Sequence, residues 1–144
     1  IIMSELEYTV ARKIIRMGNM IVARRNQQIR ELGLTAEQAD ALLFFRKSEG
    51  KSAVDLKRHL GISHQAARGI IERLAEKNLL ILTVSEEDAR YKKVFLTEDG
   101  KNLCRKMIKN GTHTGSRLLY GLSEEEKQAF CSTIDLVLKN MGAE

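Results

Sequence analysis

The stretch LKRHLGISHQAARGIIERLAEKN, residues 56–78, constrains the fold most. Val54, Leu56 and Leu60 mark a short apolar helix that Gly61 ends, since glycine readily adopts the left-handed conformation of a helix stop. Ser63 then caps a second helix running to about Asn78. On it Ala67, Ile70, Ile71 and Leu74 can point inward, while His64, Gln65, Arg68 and Glu72 share the outward face. Two helices joined by a three-to-four-residue turn containing glycine are the helix-turn-helix signature. Two β-type runs follow, LLILTV and KVFLT, with the turn SEEDARYK between them, which predicts a hairpin.

The flanks read as helices. Residues 4–31 carry two apolar stripes, one of Leu6, Val10, Ile14, Met17 and Ile21, the other of Tyr8, Ile15, Val22 and Ile29. They lie roughly 130° apart at 100° per residue. A surface helix normally has one apolar face, so two predict packing against two bodies, its own domain and a partner chain. The plainer alternative is a helix deep in a monomeric core. Thr35 with Gln38 has the spacing of a capping box and starts a helix to about Ser48, with Gly50 as its stop. Thr97 caps a fifth helix, which is expected to kink or fray at NGTHTGS, where helix formers are poor. Ser123 with Glu126 opens a sixth, running to about Met141, with Phe130, Ile134 and Val137 on one stripe. Proline is absent from the chain. Ile1 and Ile2, ahead of Met3, are set aside from this reading.

Composition narrows the class. The 144 residues fit one domain, and 43% hydrophobic with 30% charged residues is ordinary for a soluble globular protein. A net charge of +5 is compatible with nucleic-acid binding without requiring it. No run approaches the roughly 18 apolar residues of a membrane span, and no signal segment opens the chain. Cys104 and Cys131 form no paired motif, which favours a reducing cytoplasm over a disulfide framework. Both fall on or beside apolar stripes, so buried inert thiols are expected. His59, His64 and His113 show no metal-ligand spacing with them. No phosphate loop, zinc-protease motif or nucleophile elbow is present, so no enzyme and no cofactor are expected.

The order of elements, with four segments, resembles the MarR family of winged-helix transcription regulators. LTAEQADAL is similar to the start of the family's second helix. LKRHLGISHQAARGIIERLAEKNLL is similar to its helix-turn-helix. DARYKKVFLTEDG follows its wing pattern of Asp, any residue, Arg, five more residues, Leu-Thr and a glycine. GLSEEE resembles the start of its last helix. Together these span about Leu34 to Glu126. The chain departs from the family pattern at Gly69, where an arginine is common, and at Asn78 and Leu82, where glycine and arginine are common.

The resemblance implies a mainly α fold with a small β-hairpin wing, a winged helix-turn-helix carried on a helical dimerisation region. As one domain, residues 35–99 would be the winged helix-turn-helix, and 3–34 with 100–144 the dimerisation helices. Recognition helices of this kind enter the major groove with their first turns, which makes Ser63, His64, Gln65, Ala67 and Arg68 candidates for DNA contact. Gln can pair with an adenine edge and Arg with guanine O6 and N7. An arginine at a hairpin tip can probe a narrow minor groove. Asp88, two residues before Arg90, can hold its guanidinium fork; the alternative is an exposed pair worth under about 1 kcal/mol. Lys92 and Lys93 are candidate phosphate contacts, and only one of two strand neighbours can face the DNA. Glu86 and Glu87 are unexplained.

The expected function is a cytoplasmic, homodimeric DNA-binding repressor of a pseudo-palindromic operator, released by a small organic or phenolic ligand. Met20, Phe44 and Phe45 are the candidate ligand pocket, and can equally be core. The alternatives are a winged-helix module that binds protein instead of DNA, and a thiol- or metal-responsive regulator. Peroxide-sensing members of the family use a cysteine near the first helix, and this chain has none there.

Overall fold

A computed structural model describes residues 5–88 and 90–143. The order is α1 (Glu5–Glu31), α2 (Ala36–Lys47), α3 (Ala53–Leu60), α4 (His64–Glu76), β1 (Leu80–Val84), β2 (Lys92–Leu96), α5 (Glu98–Leu118) and α6 (Glu124–Asn140). This is a winged helix-turn-helix with long flanking helices. Ser4, where the first helix was expected to begin, lies outside the described residues, as do Ile1, Ile2 and Met3. The chain forms two compact units, Ile1–Asn110 and Gly111–Glu144.

The expected caps form. Thr35 Oγ1 accepts the Gln38 N–H at 3.1 Å, and Gln38 Oε1 accepts the Thr35 N–H at 3.2 Å. Ser63 Oγ accepts the Ala66 N–H at 3.1 Å. Gly61 sits at φ +66°, the left-handed stop that closes α3. In the second unit Ser123 and Glu126 exchange the two bonds of a capping box, at 2.9 and 3.1 Å. The Ser123 bonds hold the Glu126 carboxyl below its ordinary range.

The core of the first unit collects Leu42 and Phe45 of α2, Leu56 of α3, Ala67, Ile70, Ile71 and Leu74 of α4, Leu80, Val94 and Leu96 of the hairpin, and Cys104 of α5. The hairpin is antiparallel, with Leu80 opposite Leu96 and Val84 opposite Lys92. Gly50 donates to Val94 O at 2.8 Å, and Val94 donates to Lys51 O at 2.9 Å. The α2–α3 connection therefore runs along the outer edge of β2.

One joint ties the hairpin to α4 and α5. Thr97 Oγ1 donates to Asn78 O at 2.7 Å and accepts the Gly100 N–H at 3.0 Å. The Thr97 N–H donates to Leu79 O at 3.1 Å. Asn78 takes φ +62°, a left-handed conformation that asparagine tolerates better than most residues. That explains how this chain does without the glycine common there. A Cβ on Gly100 would lie 2.2 Å from Leu79 O, so only glycine lets α5 start this close to the backbone leading into β1. A second tie closes the far end of α4. Lys77 Nζ donates to Gly33 O at 2.7 Å and to Gln38 Oε1 at 3.3 Å.

Two expectations meet a different structure. α5 stays helical through NGTHTGS to Leu118, because a propensity deficit of about 1 kcal/mol per glycine does not by itself break a helix; the boundary between the two units nevertheless falls in that segment. Gly100 and Cys104, at the start of α5, are buried within the first unit. Of the two α1 stripes only Ile29 is buried; Tyr8, Ile15 and Val22 stay 71%, 52% and 54% exposed, so the chain's own core does not cover them.

Gly100→Ala should lower stability by about 1–3 kcal/mol, as overpacking against backbone does. Gly111→Ala, on the same helix but with nothing within 4 Å of the added carbon, should leave it unchanged or raise it by up to about 1 kcal/mol. Urea unfolding of the two variants checks the opposite signs.

Candidate nucleic-acid interface

The outward face of α4 and the wing border a common cleft. It has a volume of about 620 Å³, and His64, Arg68, Arg90, Tyr91 and Lys92 line it together with Glu72 and Glu76. Helix geometry sets one wall. His64, Arg68 and Glu72 recur every four residues and so share a face, while Ile70, Ile71 and Leu74 turn into the core. Strand alternation sets the other wall. Lys92 lies on the cleft side with Val94, two residues on, and Lys93, opposite Thr83, projects from the other face.

The tip of the wing is held by a two-point ion pair. Arg90 Nε donates to Asp88 Oδ1 at 3.1 Å and Nη2 to Oδ2 at 3.0 Å. The Arg90 backbone N–H also donates to Oδ1, at 3.0 Å. A planar guanidinium matches a carboxylate in this fork-to-fork geometry. The hydrogen bonds from Arg90 hold the Asp88 carboxyl below its ordinary range, and Asp88 raises the Arg90 guanidinium in turn. The Arg90 side chain keeps 88% of its surface, so the brace orients the cation without burying it. The turn closes beneath it, with Tyr91 N–H donating to Asp88 O at 3.0 Å and Ser85 N–H to Tyr91 O at 2.9 Å. Glu86 and Glu87 are exposed beside this turn, and nothing in the structure explains them.

The remaining candidate residues separate. Ser63 and Gln65 are exposed at the start of α4, and Gln65 lines a groove with Gly69 and Arg73 beside the cleft. Ala67 is fully buried and takes no part in the surface; at i, i+3, i+4 and i+7 with Ile70, Ile71 and Leu74 it belongs to the core stripe. Met20, Phe44 and Phe45 do not form one pocket. Phe45 is fully buried in the core and Met20 is 63% exposed on α1. Phe44 stacks on His59 with ring centroids 4.6 Å apart and lines a separate groove with Asp40, Lys47 and Leu60. Tyr91 was not singled out from the sequence. The signal for it lay inside the wing pattern, one residue after Arg90.

The two thiols differ. Cys104 is fully buried, with its thiol 3.7 Å from Leu42 O, and burial raises its pKa. Cys131 is exposed on α6, contrary to expectation, because the apolar stripe beside it has no cover within the chain. Among the described residues no three His, Cys, Asp or Glu side chains gather as a metal site, and no helix is long and apolar enough to cross a membrane.

A helix-turn-helix, a braced arginine at a hairpin tip and a cleft between them lined by both basic and acidic side chains define a winged-helix protein. A model of the MarR family matches residues 32–90, from α2 to the wing tip, and over that stretch the chain is similar to the MarR family. It is 24% identical over 132 residues to the HTH-type transcriptional regulator YybA of Bacillus subtilis (strain 168), covering 92% of this chain and 88% of that one. The YusO protein of Bacillus subtilis superposes with a TM-score of 0.81 at 22% identity, over 92% of this chain and 95% of that one. A mutant of S. aureus MepR bound to an oligodeoxyribonucleotide superposes with a TM-score of 0.72 at 21% identity, over 93% and 97%.

Because the Asp88 pKa is depressed, the brace is intact above the ordinary carboxylate range. It is lost only as pH falls through the lowered value. A carboxyl-detected NMR titration should place the Asp88 midpoint below that of a free aspartate, and Arg90→Ala, which keeps the backbone N–H donor, should return it only part of the way to the ordinary range. In a Cys131→Ser background, Cys104 should react with a thiol reagent only as the chain unfolds, which a labelling series in urea reads directly.

Proposed function

We propose that this chain is a DNA-binding transcriptional repressor that acts in the cytoplasm as a homodimer on a pseudo-palindromic operator. The observation that carries the reading is the single cleft in which His64 and Arg68 of the recognition helix face Arg90 and Lys92 of the wing. A helix in the major groove and a cation at the neighbouring minor groove are the two contacts such a layout can make at once. The oligodeoxyribonucleotide bound by the MepR mutant, which has a similar fold, supports the same partner class. Dimerisation is supported by the uncovered apolar residues of α1 and, separately, by Phe130, Ile134, Leu136 and Leu138 on α6. Two copies place two recognition helices one helical turn of DNA apart. A small organic ligand would release the DNA by binding better to a dimer shape whose helix spacing does not match the groove.

Selection of bound duplexes from random DNA tests the reading, followed by affinity measurements across salt concentrations. Binding should weaken steeply with salt. Arg68→Ala should relax preference at particular base pairs at a cost of about 1–3 kcal/mol. Arg90→Ala should weaken binding with smaller sequence effects. Absence of binding to any duplex, with capture of a protein partner through the same cleft, would establish the interaction-module alternative. Sedimentation should give a dimer, and polar substitutions at Ile14 and Ile134 should shift it toward monomer.

A further inference from the structure

The outward surface of α4 carries a second arginine that the wing cleft does not use. Gln65, Gly69 and Arg73 recur at steps of four and form a stripe beside the cleft-lining one. A groove of about 370 Å³ runs along this stripe, bordered by Glu37, Ser63 and Ala66 as well. The Arg73 side chain folds back over the helix. Its Nη1 and Nη2 lie 3.7 Å, and its Cζ 3.9 Å, from the place a Cβ on Gly69 would occupy. Long helical side chains lean toward the N-terminus, and here that carries the guanidinium about one turn toward the end of α4 that leads into a groove. Among the described residues no carboxylate lies within 4 Å of it.

Gly69 itself needs an account. It lies inside a helix, without a left-handed backbone, and costs about 1 kcal/mol relative to alanine. An alanine Cβ would meet the guanidinium only at ordinary contact distance, whereas a larger side chain would take its place. Gly69 therefore keeps a seat for the guanidinium against the helix surface.

We propose that Arg73 is a second DNA-contacting arginine of the recognition helix, seated over Gly69 and directed at the phosphate backbone. This rests on the DNA-binding reading above. Position 73 is the tenth residue of α4, nearly three turns from its start, and base edges are read by the first turns. A cation that far along meets the rim of the groove, where phosphates lie. An arginine fork can bridge two phosphate oxygens there.

The test uses the full chain with its selected duplex and a scrambled one, with circular dichroism confirming the fold of each variant. Arg73→Ala should lower the salt slope of log affinity by about one and weaken binding roughly eightfold at 0.1 M salt, alike on both duplexes. Gly69→Ala should bind as the natural chain does. Gly69→Leu should fall to the level of Arg73→Ala, and the double variant should be no weaker than either, since both remove the same contact. An unchanged slope in Arg73→Ala, with Arg68→Ala still impaired, overturns the proposal and leaves the DNA reading standing. Loss confined to particular base pairs overturns the phosphate assignment. No salt-dependent binding by the natural chain removes both.

Discussion

The close approach of Gly100 to Leu79 O governs where the wing stands. A hairpin on its own is marginally stable and has no fixed direction. Here it leaves α4 through a left-handed Asn78 and enters α5 through Thr97, and Thr97 bonds back to the Asn78 carbonyl. Both ends of the hairpin are thus fastened at one point against α4. The wing pattern's Leu-Thr and glycine acquire a physical meaning. Leu96 is the last core contact of the strand, Thr97 is both latch and helix cap, and Gly100 is the absence of a side chain where backbone must pass. Without this joint, His64 and Arg68 would have no defined distance to Arg90.

The wing tip works on a different balance. A free arginine at a hairpin tip samples many rotamers, and ordering it on contact costs up to about 2 kcal/mol of side-chain entropy. Asp88 meets part of that cost in advance by holding the fork in one pose, and it gives up part of the cation's field in exchange. Because the pair is exposed, solvent screens most of their mutual attraction. Its value lies in geometry more than in stability. The same logic separates Lys92 from Lys93, two equal charges of which strand alternation sends one into the cleft.

Much of this was legible because it is local. The caps at Thr35, Ser63, Thr97 and Ser123 need only a side chain and a backbone N–H three residues on. The Asp88–Arg90 brace needs a spacing of two. Ala67 was ambiguous for the opposite reason: an alanine near a helix start can face either way, and only its register with Ile70, Ile71 and Leu74 decides. What stayed hidden depends on distance in space. Lys77 meets Gly33 across 44 residues, and Gly100 matters only because Leu79 passes beside it. Cys131 was read as buried because an apolar stripe was assumed to find its cover within the same chain. Phe44 and Phe45, adjacent in sequence, point to a groove and to the core, a split that their shared type could not reveal.

The strip of backbone at Gly50 and Lys51 has a consequence beyond holding β2. A two-stranded ribbon projecting into solvent offers two rows of unpaired amides, each able to template a strand from another molecule. On the β2 side that row is already engaged by the chain itself at Val94. The half of the ribbon nearest the domain is thereby closed to polymerisation through that edge. A projecting cationic finger gains from being unable to stack on its neighbour's.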